Sequence, residues 1–291
     1  MNSKKLVIYT ALVGAYDSIH QPQVVDDSFD YVLFSNDVSV NQLGIWQIRR
    51  IPFTATDNAR LSRWVKTHPD DLFPEHEASV WIDANVVIQS DFIYMRARDL
   101  LFQNVLISSM WHNVRNCIYD EAAIVADLGL EDEAIVLNWL RKLRIESFPH
   151  LFGLSENNVI FRILHNEMIL SFDNEWWNCI DHYSRRDQLS FTYCLWKLRI
   201  ACPFFISNAE NTRNSEHFLC VNHCQSRKRF DRKTDIVYYY RTLPWYNPDR
   251  LRVLYEKLVR FRGYLILRRF VALYFRAIHY VIYMKRLLLP R

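Results

Sequence analysis

The chain has 291 residues, half of them apolar, with 5 Gly and 9 Pro and no low-complexity stretch. That is enough chain and enough apolar surface for a sizeable core, and it excludes a disordered or fibrous protein. The formal charge of +4 conceals an asymmetry: residues 241–291 carry 12 Lys/Arg against 2 Asp/Glu, net +10, and the rest carries 24 against 30, net −6. A mildly acidic body and a strongly basic tail are two functional compartments, 1–240 and 241–291.

The elements follow in chain order. Residues 6–11 read as a buried strand, ending at the polar turn Val13-Gly14-Ala15-Tyr16-Asp17. The apolar run is too short for a signal peptide and lacks a small-residue cleavage site, so a cytoplasmic location is expected. The six cysteines then read as reduced thiols, mostly in the core. Residues 31–34 form a second strand ending in Ser35-Asn36-Asp37, and 45–51 a third. A helix over 58–66 carries Arg60, Arg63 and Lys66 at i, i+3, i+6, on one face. The strand of 78–82 stops abruptly at Asp83-Ala84-Asn85. Side chains two residues apart on a strand end point the same way. Two hard oxygens there suit a divalent cation that leaves positions for phosphate, although an Asx turn uses the same residues.

Helices are expected at 92–101, 120–127, 132–142, 174–183 and 188–197, and strands at 105–110, 158–163, 202–206 and 217–221. Strands alternating with helices predict a mixed α/β fold with a mostly parallel sheet, and ligands in such sheets sit at the carboxyl ends of strands. Asp17, Asp37, Asp83 and His112 all fall there. The aromatic content, 9 Trp, 16 Tyr and 18 Phe, suits both sugar recognition and core filling. His217, Cys220, His223 and Cys224 offer four zinc-ligand types within eight residues. Their spacing matches no common zinc module, and adjacent His223 and Cys224 would strain to share one ion.

On a helix of 3.6 residues per turn, Arg262, Arg268, Arg269, Arg276, His279 and Arg286 fall within an arc of roughly 120°. Most of the remaining circumference is apolar, and the charges interrupt it too often for a spanning helix. Such a basic amphipathic helix suits an anionic membrane surface. No recognition motif for nucleic acid accompanies it.

Several segments together resemble a known family. They are Thr10-Ala11-Leu12-Val13-Gly14-Ala15-Tyr16-Asp17, Phe34-Ser35-Asn36-Asp37, the run from Arg60 to Lys66 and Trp81-Ile82-Asp83-Ala84-Asn85, then the run from His112 to Glu121. Gly153-Leu154-Ser155-Glu156-Asn157-Asn158 and Arg186-Asp187-Gln188-Leu189-Ser190-Phe191 complete the set. Over roughly residues 5–225 the chain resembles the glycosyltransferase-like domain shared by bacterial polysaccharide-synthesis proteins and plant mucilage-related proteins. More distantly it is similar to glycogenin-like sugar transferases of the GT-A (Rossmann-like) fold.

That resemblance implies a glycosyltransferase moving a sugar from a nucleotide diphosphate-sugar to a glycan or lipid-linked acceptor in surface polysaccharide synthesis, and the basic tail places that activity at the cytoplasmic face of the inner membrane. Mn2+ or Mg2+ would sit on Asp83, Asn85 and a late His, either His217 or, in preference, His223, which follows a strand. The donor would be held by the backbone from Ala11 to Gly14, by Asp37, Arg60, Arg63 and Lys66, and by His112 and Arg115. Asn158 matches the acceptor strand, and Asp187 with Gln188 the pair beside the donor sugar. Glu156 is a candidate acceptor-side acid or base. Asn85 stands where the related transferases have a second Asp, so a non-catalytic nucleotide- or glycan-binding relative is the alternative.

Overall fold

A computed structural model describes residues 6–14, 16–55, 57–112, 115–207 and 210–221, all within the first of the chain's two units, Met1–Ser226. His223 and the expected tail helix lie outside the described residues.

Seven strands form one sheet. They are β1 (Leu6–Ala11), β2 (Phe29–Phe34), β3 (Gln42–Leu43), β4 (Trp46–Arg49), β5 (Ala78–Ile82), a strand at Ile107–Trp111 and one at Ser155–Ile163. A short strand, β6 (Val86–Ile88), precedes the last two, which are therefore β7 and β8; β6 pairs separately with β9 (Phe218–Cys220). The sheet order is β3-β4-β2-β1-β5-β8-β7. β4, β2, β1 and β5 pair in parallel, whereas β8 runs antiparallel to both its neighbours. Five strands therefore point one way, and the expected mixed, mostly parallel α/β sheet is present.

Helices cover both faces. One face carries α1 (Asn58–Thr67), α4 (Ile118–Asp127), α5 (Glu133–Ile145), α6 (Glu167–His182) and α7 (Phe191–Leu198). The other carries α3 (Phe92–Phe102); α2 (Pro69–Leu72) is a single turn. Strand periodicity decides the division. In β1, Val7 and Tyr9 join the core under α1 and α4–α7, while Leu6 and Ile8 join the core under α3. A strand covered on both faces must be apolar throughout, which is why all of β1 is buried and reads as a continuous apolar run.

The reversed direction of β8 has a topological cause. The chain leaves β7 at the carboxyl edge of the sheet, and the contacting pair α4 and α5 returns it to that same edge. β8 thus starts where the parallel strands stop. Its first residues, expected to be a polar loop before a strand at 158, are instead buried strand from Ser155 onward. Asn157 adopts φ +59 there, a left-handed conformation that Asn tolerates better than branched residues. The strand expected at 202–206 is reduced to one bridge, Ser109 to Phe204. The expected helix at 188–197 is a 3-10 turn at Asp187–Leu189 followed by α7.

Candidate active site

A cleft of about 450 Å3 opens at the carboxyl edge of the parallel strands. Its wall is built from the end of β1 (Ala11 to Gly14), the N-terminal turn of α1, and Asp83 and Asn85 after β5. Glu156 and Asn158 at the start of β8, Asp187 and Gln188 of the 3-10 turn, and Arg213 complete it. Residues more than 170 positions apart in sequence thus share one concavity, in the place that α/β topology reserves for ligands.

Its centre is a charge network. Lys66, with a side chain only 1% exposed, places Nζ 2.7 Å from Asp187 Oδ2 and 3.3 Å from Asp83 Oδ1. Arg63 Nε lies 3.1 Å from Asp187 Oδ1. Burial pushes the Asp187 carboxyl up, but Arg63, Lys66 and Arg186 outweigh it and hold the group well below its ordinary value. Asp187 is thus ionised at every physiological pH.

Buried second partners fix this arrangement. Arg162, fully buried on β8, donates to the Lys66 carbonyl at 2.5 Å and to the Tyr9 hydroxyl at 2.6 Å, and pairs with Asp173 at 2.5 Å. Tyr9 donates to the same carbonyl at 3.1 Å. The last turn of α1 is thereby pinned to the sheet. Trp176 Nε1 donates to the Asp187 carbonyl at 3.1 Å and Trp139 Nε1 to that of Leu189 at 2.9 Å, which anchors the 3-10 turn from α6 and α5.

Asp83 Oδ1 accepts from Trp81 Nε1 at 2.7 Å as well as from Lys66, while no hydrogen bond to Oδ2 is made among the described residues. Asn85 turns Nδ2 to the Val221 carbonyl at 2.9 Å, which leaves its amide oxygen as the available acceptor. One carboxylate oxygen and one amide oxygen on the wall of a roomy cleft fit part of a shell for a hard divalent cation, which takes its other ligands from phosphate and water. Among the described residues no group of three or more His, Cys, Asp or Glu is arranged to hold a metal. His217 is occupied elsewhere, stacked on Phe92 at 4.3 Å and bonded to Ser90 Oγ at 2.9 Å.

Glu156 is buried, and both its oxygens are engaged, by Arg213 at 2.5 Å and by Asn158 Nδ2 at 3.0 Å. Burial raises its carboxyl above the ordinary value, with Arg213 opposing. Asn158 also donates to Thr212 Oγ1 at 2.7 Å, and its own Oδ1 is buried without a partner.

The remaining expected residues divide. Ala11, Gly14 and Arg63 line the cleft. Asp37 does not, but its Oδ2 accepts the Gly14 N–H at 2.6 Å and so shapes the turn, which sits at φ +70. Arg60 lies outside the lining, paired at 2.7 Å with Asp57, the N-cap of α1. His112 and Arg115 also lie outside it: Arg115 Nε binds Glu121 at 2.5 Å and its N–H donates to His112 Nδ1 at 3.0 Å. Lining residues with no expected site role include Tyr16, Asn58, Arg185, Arg186 and Arg213. Arg186 stood inside a recognised motif, but Arg213 lies in a stretch with no pattern to draw attention to it.

The family described as TOD1/MUCI70, glycosyltransferase-like domain, matches residues 1–223. A curated relative, "Probable hexosyltransferase MUCI70" of Arabidopsis thaliana, is 21% identical over 255 residues, covering 78% of this chain and 43% of its own length. A solved structure described as "WbbM bifunctional glycosytransferase apo structure" is 13% identical with a TM-score of 0.40, over 71% of this chain and 39% of that one. This chain therefore spans less than half of either protein. With the family covering residues 1–223, the chain belongs to the TOD1/MUCI70 glycosyltransferase-like domain family.

Proposed function

We propose that this protein transfers a hexose or related sugar from a nucleoside diphosphate-sugar to a glycan or lipid-linked acceptor. The single observation that carries the reading is the convergence of Asp83, Glu156, Asn158, Asp187 and Gln188 on one cleft at the carboxyl edge of the sheet. In glycosyl transfer the sugar's anomeric carbon gains positive charge while the departing diphosphate gains negative charge. A preorganised site stabilises both ends when oppositely charged groups are fixed in advance.

Asp187, held ionised, supplies fixed negative charge for the sugar end, and Arg63 and Arg186 supply positive charge for the diphosphate end. Lys66 ties Asp83 to Asp187, so the two carboxylates keep a fixed separation during turnover. The Asn158 amide oxygen, buried and unpartnered, would accept a hydrogen bond from a hydroxyl of the incoming sugar. Glu156 beside it is the acidic group of the acceptor side. A Mn2+ or Mg2+ on Asp83 Oδ2 and Asn85 Oδ1, with His223 as a further ligand on the basis of resemblance, would neutralise diphosphate charge as a Lewis acid.

The acceptor belongs to surface polysaccharide synthesis in this reading, and the basic segment 241–291 docks the enzyme on the cytoplasmic face of an anionic membrane. Among the described residues no helix is long and apolar enough to cross a membrane.

Purified full-length protein incubated with a panel of nucleotide-sugars, with and without Mn2+, tests the proposal. Release of a nucleoside diphosphate together with a glycosylated acceptor or free sugar is the expected result. Tight nucleotide binding with no turnover on any donor would favour a non-catalytic binding protein instead.

A further inference from the structure

Four arginines line the cleft: Arg63, Arg185, Arg186 and Arg213. Three have acidic partners. Arg63 meets Asp187 at 3.1 Å, Arg185 meets Glu131 at 3.7 Å and Arg213 meets Glu156 at 2.5 Å. Lys66 is consumed by Asp83 and Asp187.

Arg186 differs. Among the described residues its guanidinium makes one long hydrogen bond, 3.5 Å to Gln188 Oε1, and its Nε is buried without any acceptor. Its backbone is held, the N–H donating to Ser184 Oγ at 3.1 Å, so the residue is positioned while its head group is left unsatisfied. A buried guanidinium N–H without an acceptor is a group waiting for one, because it has lost water and gained nothing in exchange. The planar fork of five donors matches phosphate oxygens. Arg186 and Arg63 both line the cleft. Two guanidinium groups on one cleft suit a ligand with two adjacent phosphates.

We infer that Arg186 is the principal protein ligand of the donor's diphosphate, binding it directly through the guanidinium. The inference rests on the nucleotide-sugar reading above. It also assigns a division of labour along three consecutive residues: Arg186 for the leaving group, Asp187 for the sugar, and Gln188 for tying the turn to β8 through the Ser155 and Glu156 carbonyls at 3.4 and 3.3 Å.

The test is calorimetric titration of full-length protein with UDP, GDP, CDP and ADP and the matching nucleosides, in EDTA and in Mn2+. Parent, Arg186→Ala and Arg186→Lys are compared, with circular dichroism verifying the fold of each. Arg186→Ala is expected to weaken binding of the preferred diphosphate at least tenfold in both buffers and to leave nucleoside binding unchanged. Arg186→Lys, which keeps the charge but loses the fork, is expected to fall between. Equal diphosphate affinity in parent and Arg186→Ala would overturn the assignment, while the donor reading survives because the parent still binds. A parallel loss for nucleosides would also overturn it, since the residue would then shape the base pocket. If the parent binds no nucleoside diphosphate in either buffer, the donor reading fails and the assignment falls with it.

Discussion

Lys66 Nζ lies 2.7 Å from Asp187 Oδ2 although 121 residues separate them, and neither side chain is more than 5% exposed. Burying an ammonium and a carboxylate costs solvation that mutual attraction recovers only when geometry is good and further bonds are made. Here Arg63 and Asp83 supply those bonds. The network is therefore a rigid floor for the cleft, and removing one member leaves the others buried and uncompensated.

Lys66→Met, which keeps the stem and removes the charge, is expected to destabilise the fold by about 3 kcal/mol. Asp187→Asn should cost a similar amount. The double variant should lose clearly less than the two single losses combined, since the residues are directly coupled. Urea unfolding of the four proteins measures this; strict additivity would show that the contact contributes nothing.

Acid should expose the same network. The Asp187 carboxyl is held well below the ordinary 3.8 by Arg63, Lys66 and Arg186 against the opposing effect of burial. Between the folded and unfolded values the unfolded chain binds more protons, so stability increases with pH through that window. The contribution is complete at neutral pH and above about pH 5, and is lost as pH falls below about 4. Denaturant midpoints from pH 7 down to 3 should therefore fall more steeply for the parent than for Asp187→Asn. Parallel curves would mean that Asp187 does not titrate in this way.

Asp83 offers Oδ2 to the cleft while Oδ1 is held by Trp81 and Lys66. Nucleoside diphosphate is expected to bind more tightly when Mn2+ or Mg2+ is present, and Asp83→Ala should remove most of that gain. Calorimetric titration with and without metal decides the point. Equal metal enhancement in both proteins would take Asp83 out of the metal site.

Gly153 sits at φ +121, and a methyl group there would lie 1.8 Å from Trp111 Cζ3. Gly153→Ala must displace either the ring at the end of β7 or the approach to β8, for about 1–3 kcal/mol. It should also lower activity, because Glu156 and Asn158 begin that strand. A denaturant midpoint unchanged from the parent would show that Trp111 moves freely.

The basic segment 241–291 should bind anionic vesicles, more weakly as salt rises, at about 1 kcal/mol per Lys or Arg near the surface. Removing 263–291 should move the protein from the vesicle pellet to the supernatant. Equal partitioning of full-length and truncated protein would exclude this segment as the membrane contact.

The sequence by itself determined what depends on neighbours in the chain. The buried strands at 6–11 and 78–82 follow from continuous apolar runs, and the helix from 58 from its periodicity; Asp57 caps it. The strand end before Asp83 is legible, but a turn closed by the Val86 N–H on the Asp83 carbonyl at 2.9 Å, rather than strand alternation, brings Asp83 and Asn85 to the cleft they both line. Tertiary structure alone decided which charges meet. Spacing placed Arg60, Arg63 and Lys66 on one helix face, but only the packing of α1 on the sheet buries Lys66, and only the cap at Asp57 diverts Arg60. The strand character of Ser155 to Asn157 was hidden because these polar residues are buried where Ser155 pairs antiparallel with Trp111, a long-range contact that local pattern does not encode. Arg213 and Arg186 acquired their places for the same reason: a charged residue reads as solvent-exposed until the fold shows what faces it, and Coulomb energy depends on distance in space rather than along the chain.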